Sequence, residues 1–411
     1  MNTIYIDSRD GVNRICIVED GRLVEYYKED TGRHRLLGNV YRGRVVNILR
    51  GMEAAFVDIG EDRNAYLNVK DALGREMMYS KEKLTIDQVL KQGEDIIVQV
   101  VKEPLGNKGP KVTTHLSIPG RYMVLTPYSN RVNISKKIRD QDEIERLRHL
   151  GKEIERERMG MIFRTVSQGV ESDLLREEYN DLVRKFEAIE GERNYLPTPK
   201  LIYSEPVLVL QILRDYFDES KTDVVTNSRD ILEYLKTTTK LRDYNLGDRL
   251  TYDPNYNMDY HMNIQMDMKE ALSRMVQLKS GGYIVIDETE ALTAIDVNTG
   301  KYVGNLTLSD TIVRTNIEAA VEIARQVRLR DIGGIIIIDF IDMKVQDNID
   351  LVLGKLDKEF RKDKNKPYVV GMTKLNLVEV VRKRNRPTLD KETTIVCPTC
   401  NGRGRIRKNE A

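Results

Sequence analysis

Cysteine is scarce in this chain. Three residues in 411 are too few, and odd in number, for a disulfide framework, which points to a reducing cytoplasm. One of them, Cys16, lies in the apolar run RICIV and reads as a plain buried thiol. No apolar stretch approaches the roughly 18 residues that a membrane span needs. Residues 1–21, MNTIYIDSRDGVNRICIVEDG, lack the basic start, apolar stretch and cleavage site of a signal peptide. An excess of one charge is missing too: 66 Lys and Arg stand against 65 Asp and Glu, so overall charge predicts no nucleic-acid partner. The four histidines (34, 115, 149 and 261) form no ligand cluster and pair with no plausible nucleophile. A G-x-x-x-x-G-K-[ST] phosphate loop, internal repeats and low-complexity tracts are likewise absent. What remains, 40% hydrophobic and 32% charged, is the balance of a soluble globular chain with room for several domains.

Residues 1–30 alternate apolar and polar, with Asp20-Gly21 as hairpin chemistry. The segments GNVYRGRVVNIL, EAAFVDIG, NAYLNV and GEDIIVQVVKE follow as short strands with glycines at the corners. Such a series suggests a small closed barrel of the OB type, which binds single-stranded nucleic acid by stacking bases on aromatic rings beside basic side chains. Phe56, Tyr66 and Lys108 are the candidates, against the plainer alternative that both rings are core. Residues 121–134 read as strand, 140–159 as a charged surface helix and 172–190 as an amphipathic helix. Between the helices, GMIFRTVSQG is a short strand ending at Arg164-Thr165. A guanidinium fork plus a hydroxyl beside a glycine turn suits a terminal phosphate, although an ordinary surface ion pair would use the same residues. Residues 207–275 are mixed, with the apolar helix VLVLQILRDYF and the strand DVVTN.

The most regular stretch runs from Gly281 to Asp342: a two-stranded hairpin, a helix ended by Gly333-Gly334, and IIIIDFID as a fully buried strand. This is a βαβ unit, so the strands flanking the helix are parallel. A period of two puts Asp296 and Asn298 on one face, and Asp339 ends the isoleucine run. Both aspartates fall at carboxyl ends of parallel strands, where α/β sheets bind ligands. Paired carboxylates there call for a hard cation such as Mg²⁺, unless they merely cap loops. Asp287 and Asp342 are weaker rivals, one at a hairpin turn and the other out of phase.

Near the end, CPTC supplies Cys397 and Cys400, half of a tetrahedral zinc shell. Cys16 is a poor third ligand, and the flanking TTIV and NGRGR read as loop rather than as the helix start of a redox pair. A twofold axis through the ion would complete a Cys₄ site from two chains and make the protein a homodimer. From Arg382 to Lys408 nine basic residues (382, 383, 384, 386, 391, 403, 405, 407 and 408) face only Asp390 and Glu392, a strip that either contacts phosphate or simply solubilises a surface.

These motifs, AAFVDIG, GNKG, RTVSQG, AIDVNTG, RLRDIGGIIIIDFIDM and CPTC, occur in an order that resembles the ribonuclease E/G family of bacterial endoribonucleases over essentially the whole chain. The resemblance implies an α+β multidomain fold. A split RNase H-like domain (1–34 and 208–271) would hold an inserted OB-fold domain (35–114) and a 5′-sensor domain (115–207). A DNase I-like α/β catalytic domain (272–393) and a zinc-link with a basic tail (394–411) would follow. It implies Mg²⁺ on Asp296 and Asp339, a hydrogen bond from Asn298 at the scissile phosphate, and structural Zn²⁺ on Cys397 and Cys400 at a dimer interface. Phe56, Tyr66 and Lys108 would hold RNA, while Arg164 and Thr165, with main chain at Gly120 and Val124, would bind a 5′-monophosphate. The implied function is Mg²⁺-dependent hydrolysis of single-stranded RNA, leaving 5′-phosphate and 3′-hydroxyl ends, in rRNA processing and mRNA decay. The competing expectation is a non-catalytic OB-fold RNA-binding protein. Tyr66 stands where the family carries Phe and keeps the stacking face. The chain stops 11 residues after Cys400, so neither the family's small C-terminal domain nor a degradosome scaffold is expected.

Overall fold

A computed structural model describes residues 1–32, 35–73, 84–104, 108–192, 197–240, 246–300 and 308–400, with Gly402 and Gly404. The fold is mixed α+β and forms two compact units, Met1–Arg33 with Asp218–Ala411, and His34–Phe217.

The first unit opens with two tight hairpins joining Asn2–Arg9, Val12–Glu19 and Arg22–Asp30. Their turns, Asp10-Gly11 and Asp20-Gly21, hold positive φ at both positions (51° and 73°, 49° and 78°), the backbone that matches the twist of the flanking strands. Thr222–Thr226 then pairs parallel to Asn2–Arg9, and Leu250–Tyr252 pairs parallel to Thr222–Thr226, completing a five-stranded sheet. Cys16 is fully buried here, and burial pushes its thiol far upward.

A second sheet in the same unit runs Met275–Gln277, Tyr283–Glu288, Leu292–Asn298, Gly334–Asp339, Leu377–Arg382, Tyr368–Met372. Only the pair Leu292–Asn298 with Gly334–Asp339 is parallel; the helix Leu308–Leu329 makes the crossover. That helix and Gln346–Phe360 bury one face, where Ile295, Val297, Ile336 and Ile338 meet Ala320, Ile323, Val352 and Leu356. The four isoleucines therefore do not form a fully buried strand. Ile335 is 50% exposed because helices cover a single face, and the other carries Tyr368 and Val370 in the open as well.

The helix also ends differently from its glycine signal. Asp331, not Gly333, takes the left-handed position (φ 51°), with Asp331 N–H bonded to Arg328 O and Ile332 N–H to Val327 O. The reason is electrostatic: the Asp331 carboxylate accepts from Arg382 Nη1 and Arg386 Nε, both at 2.5 Å. Arg382 also donates to Asp363 at 2.7 Å.

In the second unit Val40–Leu49, Ala54–Asp58, Ala65–Asn68, Lys111–Thr113 and Asp95–Lys102 pair in succession, and Val40–Leu49 returns to Asp95–Lys102. The expected small barrel is thus closed, with Lys111–Thr113 as a fifth strand beyond the four segments read from the sequence. Beside it, Ser129–Ile134, Met159–Phe163, Met123–Pro127 and Ile118–Pro119 form a four-stranded sheet covered by Gln141–Ile154 and Ser172–Gly191. The single strand read over 121–134 is two strands, divided at Tyr128 (φ 59°). No described helix is long and apolar enough to cross a membrane.

Arg382, Asp331 and Asp363 have side chains only 2–4% exposed. Arg382→Ala leaves those carboxylates buried with one cation fewer and should destabilise the protein by about 3–5 kcal/mol. A urea midpoint indistinguishable from wild type would show the triad to be dispensable.

Candidate active site

Asp296 and Asp339 are register partners across the parallel ladder, and both project from the open face of the sheet. Asn298, two residues along, donates from Nδ2 to Asp296 Oδ2 at 2.8 Å, so the period-two placement holds. Burial holds the Asp339 carboxyl above its usual range, and the negative charges of Asp296 and Asp342 add to that shift. Asp342, a weak rival in the sequence, lies near enough for its charge to be felt at Asp339, and Asn376 Nδ2 reaches it at 3.4 Å. Asp287 does not join: Arg274 grips it at 2.5 and 2.7 Å and lowers its carboxyl.

The loop that carries Asp342 is tied down by Asn316. This fully buried residue donates from Nδ2 to Ile341 O (2.8 Å) and accepts at Oδ1 from Ile341 N–H (3.1 Å). Sequence reasoning missed it, although an amide on the apolar face of an amphipathic helix is a usable signal, because a buried amide needs partners.

On the barrel, Ala55, Val57, Ala65 and Leu67 point into the core, while Phe56 and Tyr66 alternate to the outside and are only partly buried. They are direct cross-strand partners with ring centroids 6.2 Å apart. Neither ring is part of the buried barrel core. A Cβ on Gly109 would lie 2.2 Å from Asn64 O, so glycine lets this loop press against the strand, where Pro110 O accepts from Tyr66 N–H at 2.8 Å. Exposed Lys108 is thereby held near the start of the Tyr66 strand.

In the four-stranded sheet Arg164 N–H donates to Tyr122 O (2.7 Å), and its Nη1 donates to Gly120 O (2.9 Å). Nη2 pairs with Asp215 of the helix Leu208–Tyr216. Exposed Thr165 shares a hydroxyl–hydroxyl contact of 2.9 Å with Ser135. Val124 lies one strand over, paired with Ile162 and Pro119. The turn leading into that strand is clamped by Glu178, whose carboxylate accepts from the N–H groups of Arg121, Tyr122 and Met123 at 2.5, 2.8 and 2.9 Å. Burial pushes the Glu178 carboxyl upward while the three amides oppose the shift. Neither Glu178 nor Asp215 stood out in the sequence, since carboxylates on amphipathic helices are ordinarily solvated.

Cys397 and Cys400 lie on an exposed turn beyond the short helix Leu389–Thr393. Backbone N–H groups of Cys400 and Thr399 lower the Cys397 thiol, and Gly404 N–H approaches Cys400 Sγ at 3.3 Å. Among the described residues no group of three or more His, Cys, Asp or Glu side chains could hold a metal within one chain. Part of the basic strip is consumed structurally. Arg382 is buried between two aspartates, Arg384 donates to Gly333 O, and Arg386 lies over the Tyr27 ring at 4.1 Å. Arg403, Arg405, Arg407 and Lys408 lie outside the described residues.

The model of the ribonuclease E/G family matches residues 117–385. Ribonuclease G of Haemophilus influenzae is 39% identical over 405 residues, covering 97% of this chain and 82% of the relative. Ribonuclease G of Escherichia coli K12 is 38% identical over 412 residues, 97% and 83% respectively. Ribonuclease E of a Nostoc species is 36% identical over 409 residues, 95% of this chain and 58% of the longer relative.

Asn316→Ala removes both partners of the Ile341 peptide and should lower stability by about 1–3 kcal/mol, as expected for a stranded buried donor and acceptor. Asn316→Asp keeps the acceptor for Ile341 N–H but faces Ile341 O with another oxygen, so it should fare no better. Chemical denaturation of the two variants checks the ranking.

Proposed function

Since the chain belongs to the ribonuclease E/G family and is an endoribonuclease, we propose that it hydrolyses single-stranded RNA at the Asp296–Asp339 cluster. The observation carrying this reading is the in-register pairing of two water-accessible carboxylates, with Asn298 bonded to one of them. An all-oxygen donor set whose members repel each other fits Mg²⁺, which keeps most of its water shell and binds through one or two carboxylates. Asp296 and Asp339 would hold the ion, and when bound it supplies Lewis-acid stabilisation of charge at the scissile phosphate and a more acidic attacking water. Asn298 would orient Asp296 and offer its amide to the phosphate. Hydrolysis in that sense leaves 5′-phosphate and 3′-hydroxyl ends.

Phe56 and Tyr66 would stack on splayed bases beside Lys108, favouring single strands, because duplex bases are not free to stack on side chains. Arg164 and Thr165 would recognise a 5′-monophosphate. The five-stranded sheet of the first unit, with its parallel pairs Asn2–Arg9/Thr222–Thr226 and Thr222–Thr226/Leu250–Tyr252, supports the RNase H-like reading of that region. The DNase I-like reading of the catalytic region rests on the family alone. Work on rRNA precursors and messengers in the cytoplasm is the biological setting we infer.

Asp296→Asn and Asp339→Asn should each lower cleavage of a single-stranded oligonucleotide at least 10²- to 10³-fold, about 3–4 kcal/mol of transition-state stabilisation. Mg²⁺ should raise the melting temperature of the unmutated protein and fail to raise that of the variants. Wild-type turnover in either variant would remove these residues from the site.

We also infer a homodimer with one Zn²⁺ for two chains. Cys397 and Cys400 give one chain two thiolates, the depressed Cys397 thiol favours the ligating form, and Ile395 and Val396 beside them are 90% and 71% exposed. Two chains would close a Cys₄ shell and cover that apolar pair. Native mass measurement should give one zinc per dimer, and Cys397→Ala should give zinc-depleted monomers. One zinc per monomer would rule out the shared site.

A further inference from the structure

The Arg164 site is assembled with its protein partners already in place. All four N–H groups of the turn 120–123 are engaged: Gly120 with Met123 O, and Arg121, Tyr122 and Met123 with Glu178. Glycine at 120 is required by that clamp, because a Cβ there would lie 2.7 Å from the Glu178 carboxylate. These amides are not free to cradle an anion, so recognition at this turn falls on the side chains of Arg164 and Thr165. A fork donor is selective only when its plane is fixed.

Two contacts fix that plane. Nη1 is anchored on Gly120 O, a carbonyl held still by the Glu178 clamp, and Nη2 is anchored on Asp215. Arg164 and Asp215 are 22% and 31% exposed at the side chain, so water screens the pair only in part. Asp215 is itself placed: Arg214 Nε lies 3.5 Å from the same oxygen, and Arg214 Nη1 donates to Glu205 at 2.6 Å. With one amino group on each anchor, the guanidinium keeps its remaining N–H donors for an incoming oxyanion.

We propose, resting on the 5′-end reading above, that Asp215 is the positioning residue that sets selectivity for a 5′-phosphate. It acts through Arg164 and does not touch the RNA. A carboxylate beside a phosphate site could instead compete for the arginine, and the two roles have opposite signatures. A positioning residue lowers KM for phosphorylated RNA; a competitor raises it.

The test compares one single-stranded oligonucleotide bearing either a 5′-monophosphate or a 5′-hydroxyl, cleaved by the unmutated protein and by Arg164→Ala, Asp215→Ala and Asp215→Asn. In the unmutated protein the monophosphate should be preferred. Asp215→Ala should reduce that preference about tenfold, the order of one charge-assisted hydrogen bond, through a raised KM for the monophosphate with little change in kcat. Asp215→Asn still offers an oxygen to Nη2 and should restore most of the preference. A purely architectural role would move both substrates together and leave their ratio intact, which would overturn the proposal. So would a lowered KM for the monophosphate in Asp215→Ala. If Arg164→Ala abolishes the preference while Asp215→Ala keeps it, only the role of Asp215 falls. If the unmutated protein cuts both RNAs equally, the 5′-end reading falls and this role with it.

Discussion

Two like charges held opposite each other across a parallel ladder are the constraint on which the second sheet of the first unit depends. Neighbouring strands lie about 4.8 Å apart, so Asp296 and Asp339 repel by roughly 1 kcal/mol even with water between them, and more as water leaves. Apolar packing holds that register. Ile295, Val297, Ile336 and Ile338 occupy the face beneath the helix Leu308–Leu329. A slip of one residue would turn Asp339 into that core and Ile338 into water. Burial of several large side chains outweighs one screened repulsion, so the carboxylates stay paired.

The same helix faces a different environment on its far side. Arg328 donates to Glu25 and Glu19 at 2.5 and 2.8 Å, and Arg325 reaches Glu270, Glu322 and the carbonyl of Leu23. Glu19, Leu23 and Glu25 belong to the first sheet, so these pairs tie the two sheets of the unit through one helix. Buried ion pairs add little over good apolar packing, but leaving one partner behind is expensive. They therefore penalise arrangements in which the helix is rotated or shifted along its axis. Asn316 extends that control to the loop after Asp339.

Period and turn chemistry made much of this fold legible. Alternation gave the hairpins and the barrel strands, and the strand–helix–strand spacing gave the parallel pair and with it Asp296, Asn298 and Asp339. What stayed hidden depends on contacts distant in sequence. Four isoleucines in a row cannot tell a strand covered on both faces from one covered on a single face, because that is decided by where the helices pack. Gly333-Gly334 looked like the helix end, yet Asp331 took the left-handed position because Arg382 and Arg386, some 50 residues on, supply its partners. Asp342 was set aside for being out of phase, a criterion that stops applying once the strand has ended at Asp339.

The arginines make the same point more sharply. In sequence, Arg382 sits in a basic strip and Arg164 ends a short strand beside a glycine turn, and either could meet a phosphate. In the fold Arg382 is 2% exposed at the side chain and spends its donors on two buried carboxylates and the carbonyl of Ile332, so no phosphate can reach it. Arg164 has one carboxylate, one carbonyl and partial access to water. An arginine recognises an external anion only if its protein partners orient it without saturating it, and that depends on how many carboxylates the tertiary fold brings within reach. Local charge density counts the cations along the chain. It does not count those carboxylates, which come from elements far away in sequence, and they decide which cations remain available to RNA.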